Sequence, residues 1–120
     1  MNIIFGEDQA QALGEKYTVL ELDTFRFVPK NVIAKAFAVV ETIPLDELPK
    51  LSFQKELHHN LMENYRKRDW NFCEQAIENL VGCFGKELDT FYVELQSRIA
   101  TFKENDPGDD WDFTIQRLLG

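Results

Sequence analysis

The chain reads as an α+β fold, with a small antiparallel β-sheet in its N-terminal part packed against a C-terminal bundle of about three α-helices. Three observations predict it. Residues 17–27 and 32–42 alternate with a period of two and are dense in β-branched and aromatic side chains, as strands require. From Pro44 onward the apolar period lengthens to about 3.6, the signature of amphipathic helices. Apolar residues make up 44% of the 120 positions, ten of them Phe, which is enough for one core and one domain. That domain spans residues 1–120: 1–43 mainly strand with one short helix, and 44–120 helical.

Ile3-Ile4-Phe5 forms a short strand stopped by Gly6, and Glu7 to Glu15 has the length of two helical turns, with Gly14 as its stop. In the first long strand Tyr17, Val19, Glu21, Asp23, Phe25 and Phe27 alternate with Thr18, Leu20, Leu22, Thr24 and Arg26. Pro29-Lys30-Asn31 then turns the chain, so that the two long runs pair as an antiparallel hairpin. In the second run Ala34, Ala36, Ala38 and Val40 share a face. Their small side chains let a helical layer approach closely.

Pro44 to Leu51 is read as a short helical turn, and Ser52 as the N-cap of the next helix. On that helix Phe53, Leu57, Leu61 and Tyr65 form the apolar stripe, flanked by His58 and Met62. Asp69 caps a further helix that gathers Cys73, Ala76, Ile77, Leu80 and Val81, with Gly82 and Gly85 at its end. The last long helix places Leu88, Phe91, Tyr92, Leu95, Ile99 and Phe102 in one band, and Pro107-Gly108 stops it. After it, Asp109 or Asp110 caps a final turn while Trp111 folds back onto the helices.

Thirteen basic residues against twenty-one acidic ones give a formal net charge of −8. Nucleic-acid affinity rests on Lys and Arg neutralising phosphates, so a nucleic-acid partner is not expected. The one basic run, Arg66-Lys67-Arg68, suits a helix C-terminus. The N-terminal residues have no signal-peptide pattern, and no run approaches the ~20 apolar residues of a membrane span. Cys73 and Cys83, ten residues apart on one helix, would lie about 15 Å from each other, beyond disulfide reach. A cytoplasmic protein with no membrane partner is expected.

The segment Tyr65-Arg66-x-x-Asp69-Trp70-x-x-Cys73, followed by Glu87-Leu88-Asp89, Ser97-Arg98-Ile99, Asp106-Pro107 and Asp110-Trp111-Asp112, carries a resemblance. Over residues 61 to 113 it resembles the tetratricopeptide-like C-terminal extension of bacterial class III adenylate/guanylate cyclases. No cyclase catalytic domain precedes it, so the resemblance implies a packing and interaction element rather than cyclase activity. The N-terminal half, with Ile3-Ile4-Phe5-Gly6 and Lys16-Tyr17-Thr18-Val19-Leu20-Glu21-Leu22-Asp23, resembles small uncharacterised proteins of marine phages and bacteria, which implies no activity.

Catalytic signatures are sparse. Neither cysteine has a flanking His or Lys, there is no G-x-S-x-G, and the glycines form no phosphate-cradling loop. Asp106, Asp109, Asp110 and Asp112 do not follow the EF-hand order. Glu56-x-x-His59 has the spacing that di-iron bundles use twice, but it occurs once here. Glu56, His59 and Glu63 share a helix face, which makes them the alternative centre for a small ligand or metal. Phe72 lies about 100° off its helix's stripe and is the candidate protein-contact residue. The sequence thus favours a non-enzymatic interaction or adaptor module, binding an unidentified protein or forming a homo-oligomer, with no cofactor and no catalytic residue.

Overall fold

A computed structural model describes residues 1–118. In chain order it contains β1 (Asn2–Phe5), α1 (Glu7–Gly14), β2 (Thr18–Val28), β3 (Val32–Val40), a 3-10 turn (Leu45–Lys50), α2 (Leu51–Arg66), α3 (Trp70–Leu80), a second 3-10 turn (Phe84–Lys86), α4 (Asp89–Glu104) and β4 (Thr114–Leu118). The class is α+β, as the two periodicities predict. The sheet runs β1-β3-β2-β4. β3 is antiparallel to both β1 and β2, and β4 lies parallel to β2, pairing Thr24 with Thr114 and Val28 with Leu118. The sheet is therefore mixed rather than antiparallel, and residues 114–118 are strand, not part of a helical C-terminal half.

Among the described residues, no helical turn follows α4. Asp112 instead accepts hydrogen bonds from the Thr114 backbone N at 3.1 Å and from Thr114 Oγ1 at 2.6 Å, and it pairs with Arg26 of β2. That aspartate steers the chain into β4. Trp111 does fold back, with its ring centroid 5.5, 5.8 and 5.2 Å from those of Tyr65, Trp70 and Phe102.

A β-bulge interrupts β2. Glu21 pairs with Phe37, but Thr24 pairs with Lys35, so β2 carries one residue more than β3 over this span. The extra residue reverses the alternation: Leu20 opposes Ala38 and Phe25 opposes Ala34, so both face the same way. Asp23, Phe25 and Phe27 thus leave the face of Val19 and Glu21 on which strict alternation put them. Ala36, Ala38 and Val40 form the floor on which the helices pack, joined in one core with Leu61, Met62, Ile77, Leu80, Tyr92, Leu95 and Ile99. At the bulge, Arg98 of α4 donates to both oxygens of Asp23, at 2.8 and 3.2 Å. α1 packs Ala10 on the opposite face of the sheet.

The α2–α3 hairpin forms as expected, with Asp69 accepting from the Phe72 backbone N at 3.2 Å. Ser52 is not a cap. Lys50 is already in the right-handed region when the 3-10 turn runs into α2, which leaves no extended residue for a cap, and Ser52 sits exposed in the first turn. The buried side of α2 is also rolled relative to the expected stripe. His58, Leu61, Met62 and Tyr65 are buried, Leu57 is half-buried and Phe53 is exposed.

Candidate functional site

Rolling α2 toward Met62 presses its next arc of side chains, His58, His59, Glu63 and Arg66, against the outer edge of β2. β4 covers that edge only from Thr24 onward, so the backbone of Glu21 needs another partner. His58 supplies it: its Nε2 lies 2.6 Å from the Glu21 carbonyl oxygen, and its Nδ1 lies 2.7 Å from the Tyr92 hydroxyl. A carbonyl only accepts, so Nε2 carries the proton and Nδ1 accepts from Tyr92 O–H. Burial pushes the His58 pKa down, outweighing the Glu21 carbonyl and carboxylate that act to raise it, and the ring is neutral. Burial likewise raises the Tyr92 hydroxyl, which stays a donor. Both ring nitrogens are therefore spent on structure.

His59 is the opposite case, 64% exposed at its side chain, with Nδ1 3.4 Å from Glu21 Oε1. Arg66 donates to Glu21 Oε2 at 2.8 Å and to Glu63 Oε1 at 2.9 Å, and Lys35 Nζ stands 3.5 Å from Glu21 Oε2. Burial acts to raise the Glu21 pKa, but the Arg66 hydrogen bond and the charges of Arg66 and Lys35 outweigh it and hold the carboxyl below its ordinary value. Glu21 is thus an anion. Among the described residues, the donor atoms of Glu21, His59 and Glu63 lie within 4.8 Å of one another.

Two of the three residues expected at a ligand centre are therefore brought together, and the third is not. Glu56 lies two turns before Glu63, about 10 Å along the helix axis. It is exposed and stands outside the group, where Glu21 takes its place. The signal for Glu21 was present in the sequence as a lone acid inside the apolar run Val19-Leu20-Glu21-Leu22. Beside the group opens a cleft of about 520 Å³ between α1 and α2, with Val19 and Phe37 in its wall and Lys35 and Lys55 at its mouth.

A second surface lies on the other side of the sheet. Ile3 and Phe5 oppose Ala38 and Ala36, which puts them on the helix-facing side, yet no helix covers them. The rings of Phe5, Phe25 and Phe27 form a cluster with centroids 5.9 to 6.1 Å apart. Between this cluster and α4 runs a groove of about 260 Å³, bordered by Ile3, Phe25, Phe91 and Glu94. Phe72 belongs to neither surface; it is half-buried and packs against the core.

Both arginines of the basic run at the end of α2 are engaged within the chain. Arg66 holds the two glutamates, while Arg68 pairs with Asp106 and stacks 5.1 Å from the Trp111 ring centre. Burial pushes the Cys73 thiol up to about 12 and also raises that of Cys83. Neither is a ready nucleophile at neutral pH. Among the described residues, no helix is long and apolar enough to cross a membrane. Compared with family models, with curated proteins and with solved structures, the chain matches none.

Proposed function

We propose that this chain is a non-enzymatic protein-interaction module whose docking surface is the uncovered end of the helix-facing side of the sheet. One observation carries the reading: Ile3, Phe5 and Val32 are 54%, 46% and 50% exposed on an otherwise apolar face that continues into the groove beside α4. Contiguous exposed apolar side chains of this kind mark contact sites. The partner suited to it carries an apolar anchor flanked by basic residues, because Glu94 is exposed on the rim and the chain's net charge is −8. The same charge opposes close approach of a second copy. It also opposes nucleic acid, and two free buried thiols fit a reducing cytoplasm. The resemblance of the hairpin to a packing and contact element supports the same reading.

The test is photo-crosslinking from a benzophenone side chain at Ile3 in lysate of the source cells, with and without a Phe5→Lys change. A product of defined mass that Phe5→Lys abolishes, while the melting temperature is unchanged, supports the module. A crosslink to a second copy makes the protein a self-associating one. No product beyond random labelling removes the proposal.

A further inference from the structure

We propose that Glu21, His59 and Glu63 form a site for one divalent transition-metal ion of the zinc class. The site lies on the face of the sheet opposite the docking groove, so it stands or falls independently of that reading. His59 Nδ1 and Glu21 Oε1 are 3.4 Å apart, and the three donor atoms lie within 4.8 Å of one another. Donor atoms about 2.0–2.2 Å from a tetrahedral zinc ion stand roughly 3.3–3.5 Å from each other, so the first pair needs almost no movement to share an ion. His59 and Glu63 are four residues apart on α2 and project from the same side, so a small rotamer change closes the third contact. One imidazole nitrogen with two carboxylate oxygens is a hard-to-borderline donor set, suited to zinc and its first-row neighbours.

A second observation, independent of the spacing, points to a cation. Among the described residues, Glu21 Oε1 is buried and accepts no hydrogen bond, with His59 Nδ1 standing 3.4 Å away. Arg66 and Lys35 both approach Oε2 of the same carboxylate and leave Oε1 facing His59. A buried carboxylate oxygen without a donor is costly, and a metal ion at that point satisfies it. Arg66 acts from behind the site: it bonds one oxygen of Glu21 and one of Glu63, which fixes the orientation of both carboxylates. The exposure of His59 leaves an entry path, and the cleft between α1 and α2 leaves room for water or a further ligand on the ion. Arg66 and Lys35 also offset the two carboxylate charges, so the affinity expected is micromolar rather than the far tighter binding of closed structural zinc sites.

Calorimetric titration of chelator-treated protein with zinc chloride at neutral pH tests the site, with cobalt(II) absorption as a second readout. The expected result is saturable uptake of one ion per chain, weakened at least about tenfold by His59→Ala and unchanged by Glu56→Gln, which removes an equally exposed acid outside the group. His59 is exposed, so the alanine variant should fold, and its circular dichroism and melting temperature without metal verify that. Absence of saturable uptake by the wild-type protein overturns the proposal. So does equal binding by His59→Ala, or an equal loss in Glu56→Gln, either of which would mean diffuse attraction to an acidic surface.

Discussion

The helix-facing side of the sheet has a closed end and an open end built from the same kinds of residue. At the closed end Ala36, Ala38 and Val40 lie under α2, α3 and α4 and are buried. At the open end Ile3, Phe5 and Val32 are comparably apolar and stand in solvent. The difference lies in what the helices reach. Ala36 and Ala38 share one buried core with the side chains of α2, α3 and α4, and the Arg98–Asp23 pair pins α4 at the bulge. Phe5, Phe25 and Phe27 instead cluster with one another, and the groove bordered by Phe91 and Glu94 separates them from α4. Apolar character says which face turns inward, but it does not say how much of that face the helices cover.

That contrast can be broken most forcefully at His58, the polar anchor of the closed end. His58→Leu leaves the Glu21 carbonyl and the Tyr92 hydroxyl without partners, at about 1–3 kcal/mol each, so urea unfolding should show a loss of about 2–6 kcal/mol. A loss below 1 kcal/mol would mean that the two bonds do not hold α2 to the sheet. Next in size is Ala38→Leu, which overpacks a fully buried position and should cost about 1–3 kcal/mol. The matching change at the open end, Val32→Thr, should stay within about 0.5 kcal/mol; equal effects at both ends would erase the distinction. Tyr92→Phe keeps the ring but leaves the buried His58 Nδ1 without a donor, for a loss of about 1–3 kcal/mol.

The smallest effect concerns Asp112. Its hydrogen bonds from Thr114 and the Arg26 guanidinium lower its pKa from 3.8 to about 2. A depressed carboxylate contributes stability that is complete above its unfolded value and lost as pH falls through its folded one. Wild type should therefore lose more stability between pH 3.8 and about 2 than Asp112→Asn does, read as parallel melting curves. Identical pH slopes would mean that Asp112 does not fasten β4.

Much of the closed end was legible in the sequence. Period-two runs gave β2 and β3, the alanines marked the floor, and local spacing gave the buried stripes of α3 and α4 except at their ends, where Val81 lies beyond α3 and is exposed and Phe102 is half-buried. What escaped rests on pairing between distant residues. β4 is five residues long, largely exposed, and β-branched only at Thr114 and Ile115, so nothing local distinguishes it from a loop; its partner begins ninety positions earlier, at Thr24. The bulge left no mark in an alternation that reads equally well without it. His59 and Glu63 were legible as neighbours from helical spacing alone, whereas Glu21, marked only as a lone acid in an apolar run, joins them through a contact between β2 and α2 that the fold makes.

The position of β4 has a consequence during synthesis. β2 leaves the ribosome early, but the strand that covers its outer edge from Thr24 to Val28 is made some ninety residues later. Until residues 114–118 emerge, the nascent chain displays a naked strand edge beside Phe25 and Phe27, a template for pairing with any extended neighbour. α2 shields the adjoining stretch sooner, through His58 on the Glu21 carbonyl. A chain cut after Glu104 and released from the ribosome should therefore be largely folded and yet hold a chaperone that a chain with β4 in place does not.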